Sequence, residues 1–333
     1  MSFFSSSKFL AHKFPAPKAG PARIASVDLA RGALLVAMFV YHLAWDAHYF
    51  GLSAVDPSAH AGWKLFSHSI ASGFLFLAGV SLVLADRRGA TTAQIATRLA
   101  RLAAAAAVVS LATYLAVPEA FISFGILHCI LVASLLALPV RRLPLPLLAL
   151  AGLGLAVAPW FFAGLGLDSP WLGWTGLNAT APRTLDYRPL LPWAGALFAG
   201  VVAARLWPPG RTLHVPVQLQ ALALAGRHSL AIYLLHQPIF LSLLFGLATL
   251  LPAVMPDEAA PFLAACQNTC KDAGRTAPAC TASCTCVADW LKAAELWSPA
   301  LHDQLDAAAT ARLQEMAQTC RDMTSKPGQN GNP

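Results

Sequence analysis

The sequence predicts an all-α, polytopic transmembrane helical bundle of about seven spans, N-terminus in and C-terminus out, followed by a small disulfide-stapled helical domain. Three observations predict it. The 333 residues are 57% hydrophobic and only 12% charged, about half the charge of an ordinary soluble domain. The apolar residues fall in blocks of about 17 to 25, the length a helix needs to cross a bilayer. Six of the 7 cysteines crowd into the last 70 residues. A secreted soluble enzyme and a cytosolic globule are thereby excluded, and the lipid bilayer is the first expected partner.

Residues 1–27 carry Lys8, Lys13, Lys18 and Arg23 without a long apolar run. They read as a basic cytoplasmic segment and not as a cleaved signal peptide. The membrane region, 28–252, then divides into spans at 29–47, 64–85, 99–117, 121–139, 143–162, 189–207 and 229–251. Residues 211–227 are intermediate and fit either an interfacial helix or part of a further span. The positive-inside rule sets the orientation. The segments placed inside hold Lys8, Lys13, Lys18, Arg23, Arg31, Arg87, Arg88, Arg98, Arg101, Arg141, Arg142, Arg205, Arg211 and Arg227. The outward loops hold only Lys64, Arg183 and Arg188. Most of the net charge of +7 is therefore topology, and no nucleic-acid partner is expected.

An odd number of spans exports the tail, 253–333. Its cysteines, Cys266, Cys270, Cys280, Cys284, Cys286 and Cys320, suit an oxidising compartment such as the periplasm. Cys266 and Cys270 are four apart, as are Cys280 and Cys284, so each pair lines one helical face. Leu301, Leu305, Leu313, Met316 and Cys320 read as the buried stripe of a third helix. Up to three disulfides are expected, with 15 pairings open. A zinc site is the rival use of these cysteines; no other metal site is expected.

Ionisable residues inside spans are costly in lipid and mark candidate sites. Asp28 and Arg31 are three apart at the start of the first span, followed by Gly32. They form either a structural ion pair or, with Arg227, an anion site for the phosphates of a donor. His42 and Asp46 are four apart and share a face, with His42 some ~20 Å from the inner end. An acid that orients one ring nitrogen leaves the other as a base, as acyl transfer requires; the bland alternative is an interhelical hydrogen bond. His128, eight residues into the fourth span, lies at a similar depth, beside a small buried Cys129. His236 lies roughly 10 Å from the inner side of the last span. There Pro238 frees a backbone carbonyl, so a polar partner is wanted. Asp186, Tyr187 and Arg188 precede the sixth span on the outer side, where they can complete a substrate pocket. His68 reads as a bland surface residue.

Several stretches together resemble a known family: Asp28-Leu29-Ala30-Arg31-Gly32, Met38-Phe39-Val40-Tyr41-His42 with Trp45-Asp46, Gly73-Phe74-Leu75-Phe76-Leu77-Ala78-Gly79-Val80-Ser81 and Phe124-Gly125-Ile126-Leu127-His128. The series continues with Asp186-Tyr187-Arg188-Pro189-Leu190-Leu191-Pro192-Trp193, Gly226-Arg227-His228-Ser229-Leu230 and Tyr233-Leu234-Leu235-His236-Gln237-Pro238. Over about residues 22–252 the chain resembles bacterial membrane proteins grouped with the catalytic domain of heparan-alpha-glucosaminide N-acetyltransferase. The resemblance implies acyl transfer across a membrane, with acetyl-CoA as cytosolic co-substrate, no resident cofactor, and an amino sugar as acceptor on the far side. It also implies a bacterial inner-membrane location. The family's essential histidine precedes the second span and a Trp-Asn-Gly run; here the comparable loop offers His60 and Trp63 without Asn-Gly. The tail lies outside the resemblance.

The resulting expectation is an acyltransferase in which His42, oriented by Asp46, or His128 or His236, deprotonates a sugar hydroxyl or amine. Tyr187 or a second histidine then meets the carbonyl charge. Two alternatives stay open: a proton-coupled transporter or flippase using the same groups, although no internal repeat is visible, and a non-enzymatic membrane partner. The oligomeric state stays open between monomer and dimer.

Overall fold

The computed structural model describes residues 24–162, 169–178, 180–208, 215–251, 259–301 and 305–325. Lys8, Lys13, Lys18, Arg23 and Arg211, counted above for orientation, lie outside the described residues. The regular elements are helices: α1 (Ala25–Tyr49), α2 (Ala61–Arg87), α3 (Thr92–Ala116), α4 (Ile126–Val140), α5 (Leu145–Phe162), α6 (Leu190–Leu206), α7 (Gln220–Arg227), α8 (Ser229–Ala248), α9 (Ala259–Asp272), α10 (Ala277–Ala293), α11 (Trp297–Leu301) and α12 (Ala307–Ser325). The chain divides into two compact units, Met1–Asp46 with Asp56–Leu247, and Ala47–Val55 with Ala248–Pro333.

In the first unit α1, α2, α3, α5 and α8 are long and apolar enough to cross a membrane, and α4 and α6 are shorter apolar helices. The protein is thus a multi-pass membrane helical bundle. Within segment 211–227 the described residues, 215–227, hold the short α7 of 8 residues, too short to span. The apolar stretch expected as a span from residue 121 becomes helical only at Ile126. Residues 120–126 instead run beside 184–188. Leu185 N–H donates to Ala120 O at 2.9 Å, Arg188 N–H to Phe124 O at 3.4 Å, and the Thr184 hydroxyl to Phe121 O at 2.8 Å. Non-helical backbone at such a position needs protein partners, and this pairing supplies them.

α6 packs against α2 and α5, and its contact with α2 depends on two glycines. A Cβ on Gly79 would collide with the Leu197 carbonyl, and one on Gly200 with the Phe76 carbonyl, so the two backbones touch in the small-residue manner of membrane helix pairs. Leu75, Ala194, Leu197 and Val201, with Ala133 of α4, are buried in one core. α1 and α7 approach through Gly32 and Gly226, where an added Cβ would strike the Leu222 and Asp28 carbonyls. α1 buries Asp28, Gly32, Leu35, Met38 and Asp46, one stripe at helical spacing. α3 starts at a capping box: Gln94 N–H donates to the Thr91 hydroxyl at 3.3 Å and Thr91 N–H to Gln94 Oε1 at 2.9 Å.

In the second unit α9 and α10 form a hairpin held by two nested disulfides, Cys266–Cys284 and Cys270–Cys280, and α12 is tied to α10 by Cys286–Cys320. All six tail cysteines are consumed, which removes the zinc alternative. Among the described residues no cluster suited to a metal occurs. The core holds Val287, Leu291 and Cys320, with Phe262, Trp290, Trp297, Leu313 and Met316 packed around them. The expected stripe from Leu301 is shorter than anticipated. Leu301 ends α11 and is exposed, and Asp306 caps α12 by accepting Ala309 N–H at 2.6 Å. The buried positions of the last helix are therefore Ala309 and Cys320, with Leu313 and Met316 partly buried beside them.

Candidate functional site

Two polar clusters sit on the buried stripe of α1. At its first turn Arg31 Nη1 pairs with Asp28 Oδ1 at 2.8 Å, and Arg31 Nη2 donates to the Ser81 hydroxyl of α2. Ser81 passes its own proton to Leu77 O at 2.5 Å. Arg98 of α3 is close enough to Arg31 to act on it electrostatically. Arg227 is exposed and follows Gly226, whose Cα rests on the Asp28 carbonyl. Asp28, Arg31 and the end of α7 are thus brought together, with Arg31 anchored to two partners.

The second cluster joins α1 to α8. Within α8 the buried residues are His236 and Leu244, so a largely lipid-facing helix turns a histidine inward. His236 Nδ1 donates to the Tyr233 carbonyl at 2.6 Å. That bond fixes the tautomer and leaves Nε2 with its lone pair; Nε2 is buried without a hydrogen-bond partner. The His42 ring lies edge-on to the His236 ring, centroids 4.8 Å apart, and Phe39 stacks on it at 5.7 Å. Gln237 Nε2 donates to Asp46 Oδ1 at 2.7 Å. Asp46 is fully buried, and Asp46 Oδ2 and Gln237 Oε1 have no hydrogen-bond partner.

Two expectations change here. Asp46 does not orient His42; its bond is the interhelical one to Gln237. His236 and His42, expected at different depths, are in ring contact. Gly226, three residues before α8, already packs on Asp28 and Gly32, so α8 begins part-way along α1. Counting residues from the start of α8 therefore gives no depth along α1.

The segment before α6 closes the site. Asp186 Oδ2 accepts Ile126 N–H at 2.9 Å, capping α4 from 60 residues away. Its other oxygen is 3.7 Å from Arg188 Nε. Arg188 donates to the Ser67 hydroxyl at 2.5 Å, stacks over Trp193 at 5.0 Å, and acts electrostatically on His42 and His68. Tyr187 gives its hydroxyl to Gly173 O at 2.7 Å, and burial pushes its phenol above the usual range. It therefore stays protonated as a fixed donor to that carbonyl. His128 uses both ring nitrogens. Gly125 N–H donates to Nδ1 at 3.3 Å, and Nε2 is 3.2 Å from the Ser110 hydroxyl, which itself donates to Ile122 O at 2.6 Å. Cys129 is buried and free. His60 and His68 are exposed, His60 donating to Asp56 O at 2.9 Å and His68 lying against Trp193 at 5.1 Å.

The structure thus gathers His42, His236 and Arg188 at one end of α1, with Asp46 joined to His236's neighbour, while His128 and Tyr187 are spent on local structure. Sequence reasoning missed Gln237 and Ser81 as members of the two clusters and Ser67 as the partner of Arg188. The available signal for Gln237 was an uncharged amide beside Pro238 in an apolar helix. For Ser67 and Ser81 it was a place among the buried residues of α2.

A family model described as heparan-alpha-glucosaminide N-acetyltransferase, catalytic, matches residues 23–238, which include both clusters. No curated protein and no solved structure matches.

Proposed function

The chain belongs to the heparan-alpha-glucosaminide N-acetyltransferase catalytic family, and from that premise we propose that it moves an acyl group, acetyl in the first instance, from cytoplasmic acyl-CoA to a sugar hydroxyl or amine across the bacterial inner membrane. Family membership suggests an acyltransferase-like enzyme in the membrane. The donor, acceptor and direction are our reading. The observation that carries it is the buried Nε2 of His236, its tautomer set by the Tyr233 carbonyl and its lone pair unclaimed.

In this reading Nε2 takes the proton of the acceptor hydroxyl or amine as its oxygen or nitrogen attacks the thioester carbonyl. The C–S bond breaks, and the proton passes to the leaving sulfur, giving the acylated acceptor and free CoA thiol. Arg188 and His42 flank the reacting carbonyl and meet its negative charge. Gln237 and Asp46 offer acceptor atoms to the donor-rich face of a sugar. At the other end of α1 the Asp28–Arg31–Arg227 region receives the phosphates of CoA. His128 and Asp186 act as positioning residues through the α4 cap. Three disulfides in the second unit support an exported tail, and hence the N-in, C-out orientation.

Purified full chain in proteoliposomes, given labelled acetyl-CoA outside or inside and amino-sugar and neutral-sugar acceptors on the opposite side, tests this. Labelled sugar with stoichiometric CoA release is expected from one orientation only. Movement of a solute or protons without acyl transfer would replace the reading with a transporter.

A further inference from the structure

The ends of α2, α4 and α6 carry five arginines, Arg87, Arg88, Arg141, Arg142 and Arg205, against one carboxylate, Asp86. Asp86 is held by Arg141, Nε to Oδ2 at 2.5 Å and Nη2 to Oδ1 at 2.9 Å. Arg141 Nη1 turns to the Leu138 carbonyl. Arg87 donates to the carbonyls of Arg205 at 3.4 Å and Trp207 at 3.0 Å. Arg205 donates to the carbonyls of Arg141 at 3.3 Å and of Leu143. These bonds lock the three helix ends into one rim. Carbonyl oxygens satisfy guanidinium protons without neutralising charge, so the single carboxylate, bonded to Arg141 and within electrostatic reach of Arg142, leaves the rim strongly positive. Arg87, Arg88 and Arg142 form no direct ion pair among the described residues, and Arg87 and Arg142 are exposed.

Apolar side chains lie among these cations. Leu206 is 65% exposed, Trp207 45% and Leu143 42%. A rim built only for a soluble anion has no use for them. Tryptophan and leucine beside arginine is the composition of the bilayer interface, where aromatic rings sit at headgroup level and arginines reach up from the apolar layer.

We infer that this rim binds the phosphate of an anionic phospholipid headgroup. Arg87, Arg88 and Arg142 face the phosphate oxygens, and Leu143, Leu206 and Trp207 lie against the acyl chains. Guanidinium forks match phosphate oxygens, and basic groups at helix ends on the cytoplasmic side are the usual receptors for acidic lipids. The inference stands apart from the acyl-transfer reading, since none of these residues belongs to either cluster on α1.

The test uses the full chain in detergent micelles with fluorescent phosphatidylglycerol and phosphatidylcholine of matched chains. The wild type is expected to prefer phosphatidylglycerol. Each basic residue near an anionic surface is worth roughly fivefold, so R87Q/R142Q should lower that preference by roughly 25-fold, with phosphatidylcholine binding unchanged. Equal binding of the two lipids by the wild type, or an unchanged preference in the variant, would overturn the inference. Displacement of phosphatidylglycerol by free CoA would overturn it as well, because the occupant would then be a soluble phosphate. Should the double variant fail to fold, the wild type still decides: raised ionic strength must erase a preference that rests on exposed charge, and a salt-resistant preference refutes it.

Discussion

Replacing His236 by asparagine separates its chemistry from its structural part. The asparagine amide nitrogen takes the place of Nδ1 and keeps a donor for the Tyr233 carbonyl, now met at 2.6 Å; what disappears is Nε2. The structural loss is the ring contact with His42 at 4.8 Å, Phe39 at 5.7 Å and Phe240 at 5.9 Å, together about 1.5–4.5 kcal/mol of stability at the worth of aromatic pairs. Loss of a positioned general base slows transfer by about 10²–10⁴, or roughly 3–5 kcal/mol of barrier. The two effects fall on different measurements.

Transfer is read in single turnover from labelled acetyl-CoA. Stability is read with a thiol dye, for which the bundle is well suited: Cys129 is buried and free, and the six tail cysteines are paired. Dye labelling therefore reports opening of the α4 core. H236N is expected to melt about 3–18 °C below wild type and to transfer at about one hundredth of its rate or less. H236A loses the carbonyl bond as well and should fall in both assays. If H236N folds and transfers within tenfold of wild type, His236 is not the base.

Three further outcomes follow from the same geometry. D46N retains an oxygen for the Gln237 amide, so it should melt near wild type, whereas D46A leaves a buried donor unpaired at a cost of about 1–3 kcal/mol; equal melting of the two would show that the Asp46–Gln237 bond carries no stability. G79A drives a Cβ into the Leu197 carbonyl and should cost about 1–3 kcal/mol by overpacking α2 on α6, while G154A, which has open space around its Cβ, should not lower the melting temperature. In the tail, loss of Cys286–Cys320, closing 34 residues, should cost about 4 kcal/mol, against about 3 kcal/mol for Cys270–Cys280, closing 10. Pulse proteolysis of the full chain ranks them, and the reverse order would refute the loop-closure account.

Hydropathy made the bundle legible because a bilayer selects for apolar length. It overestimated α4 because 121–125 is largely apolar yet non-helical, and its backbone partners lie at 184–188, beyond any local pattern. His42 and Asp46, four residues apart, both meet α8. Such spacing fixes direction on a helix and says nothing about which neighbour is met. Asp46 therefore found Gln237 on α8, and His42 found His236. His128 looked equally exposed to chemistry in the sequence; its ring is consumed by Gly125 and Ser110, contacts set by where α3 and the 121–125 segment meet. In the tail, equal spacings placed Cys266 with Cys270 and Cys280 with Cys284 on common faces. Antiparallel pairing of those faces then gives the nested bonds 266–284 and 270–280, a consequence of the hairpin that spacing alone left open.

What the structure adds is the coupling of the two clusters through one rigid element. Arg31 and His42 are eleven residues apart on α1, about 16 Å along its axis, and both lie near its buried stripe. One end is fixed by the Gly32–Gly226 approach and the Ser81 bond; the other is fixed by Gln237 and the His236 ring. With His236 treated as a mid-depth base, donor and acceptor chemistry would have needed two centres at different depths. Ring contact between His42 and His236 merges them into one, and the interval left to bridge is that between Arg31 and this pair. On the proposed reading, a donor anchored there by its phosphates must span that interval. On the proposed reading α1 therefore sets the reach of the donor, and the acceptor needs only to arrive at the His42–His236–Arg188 end.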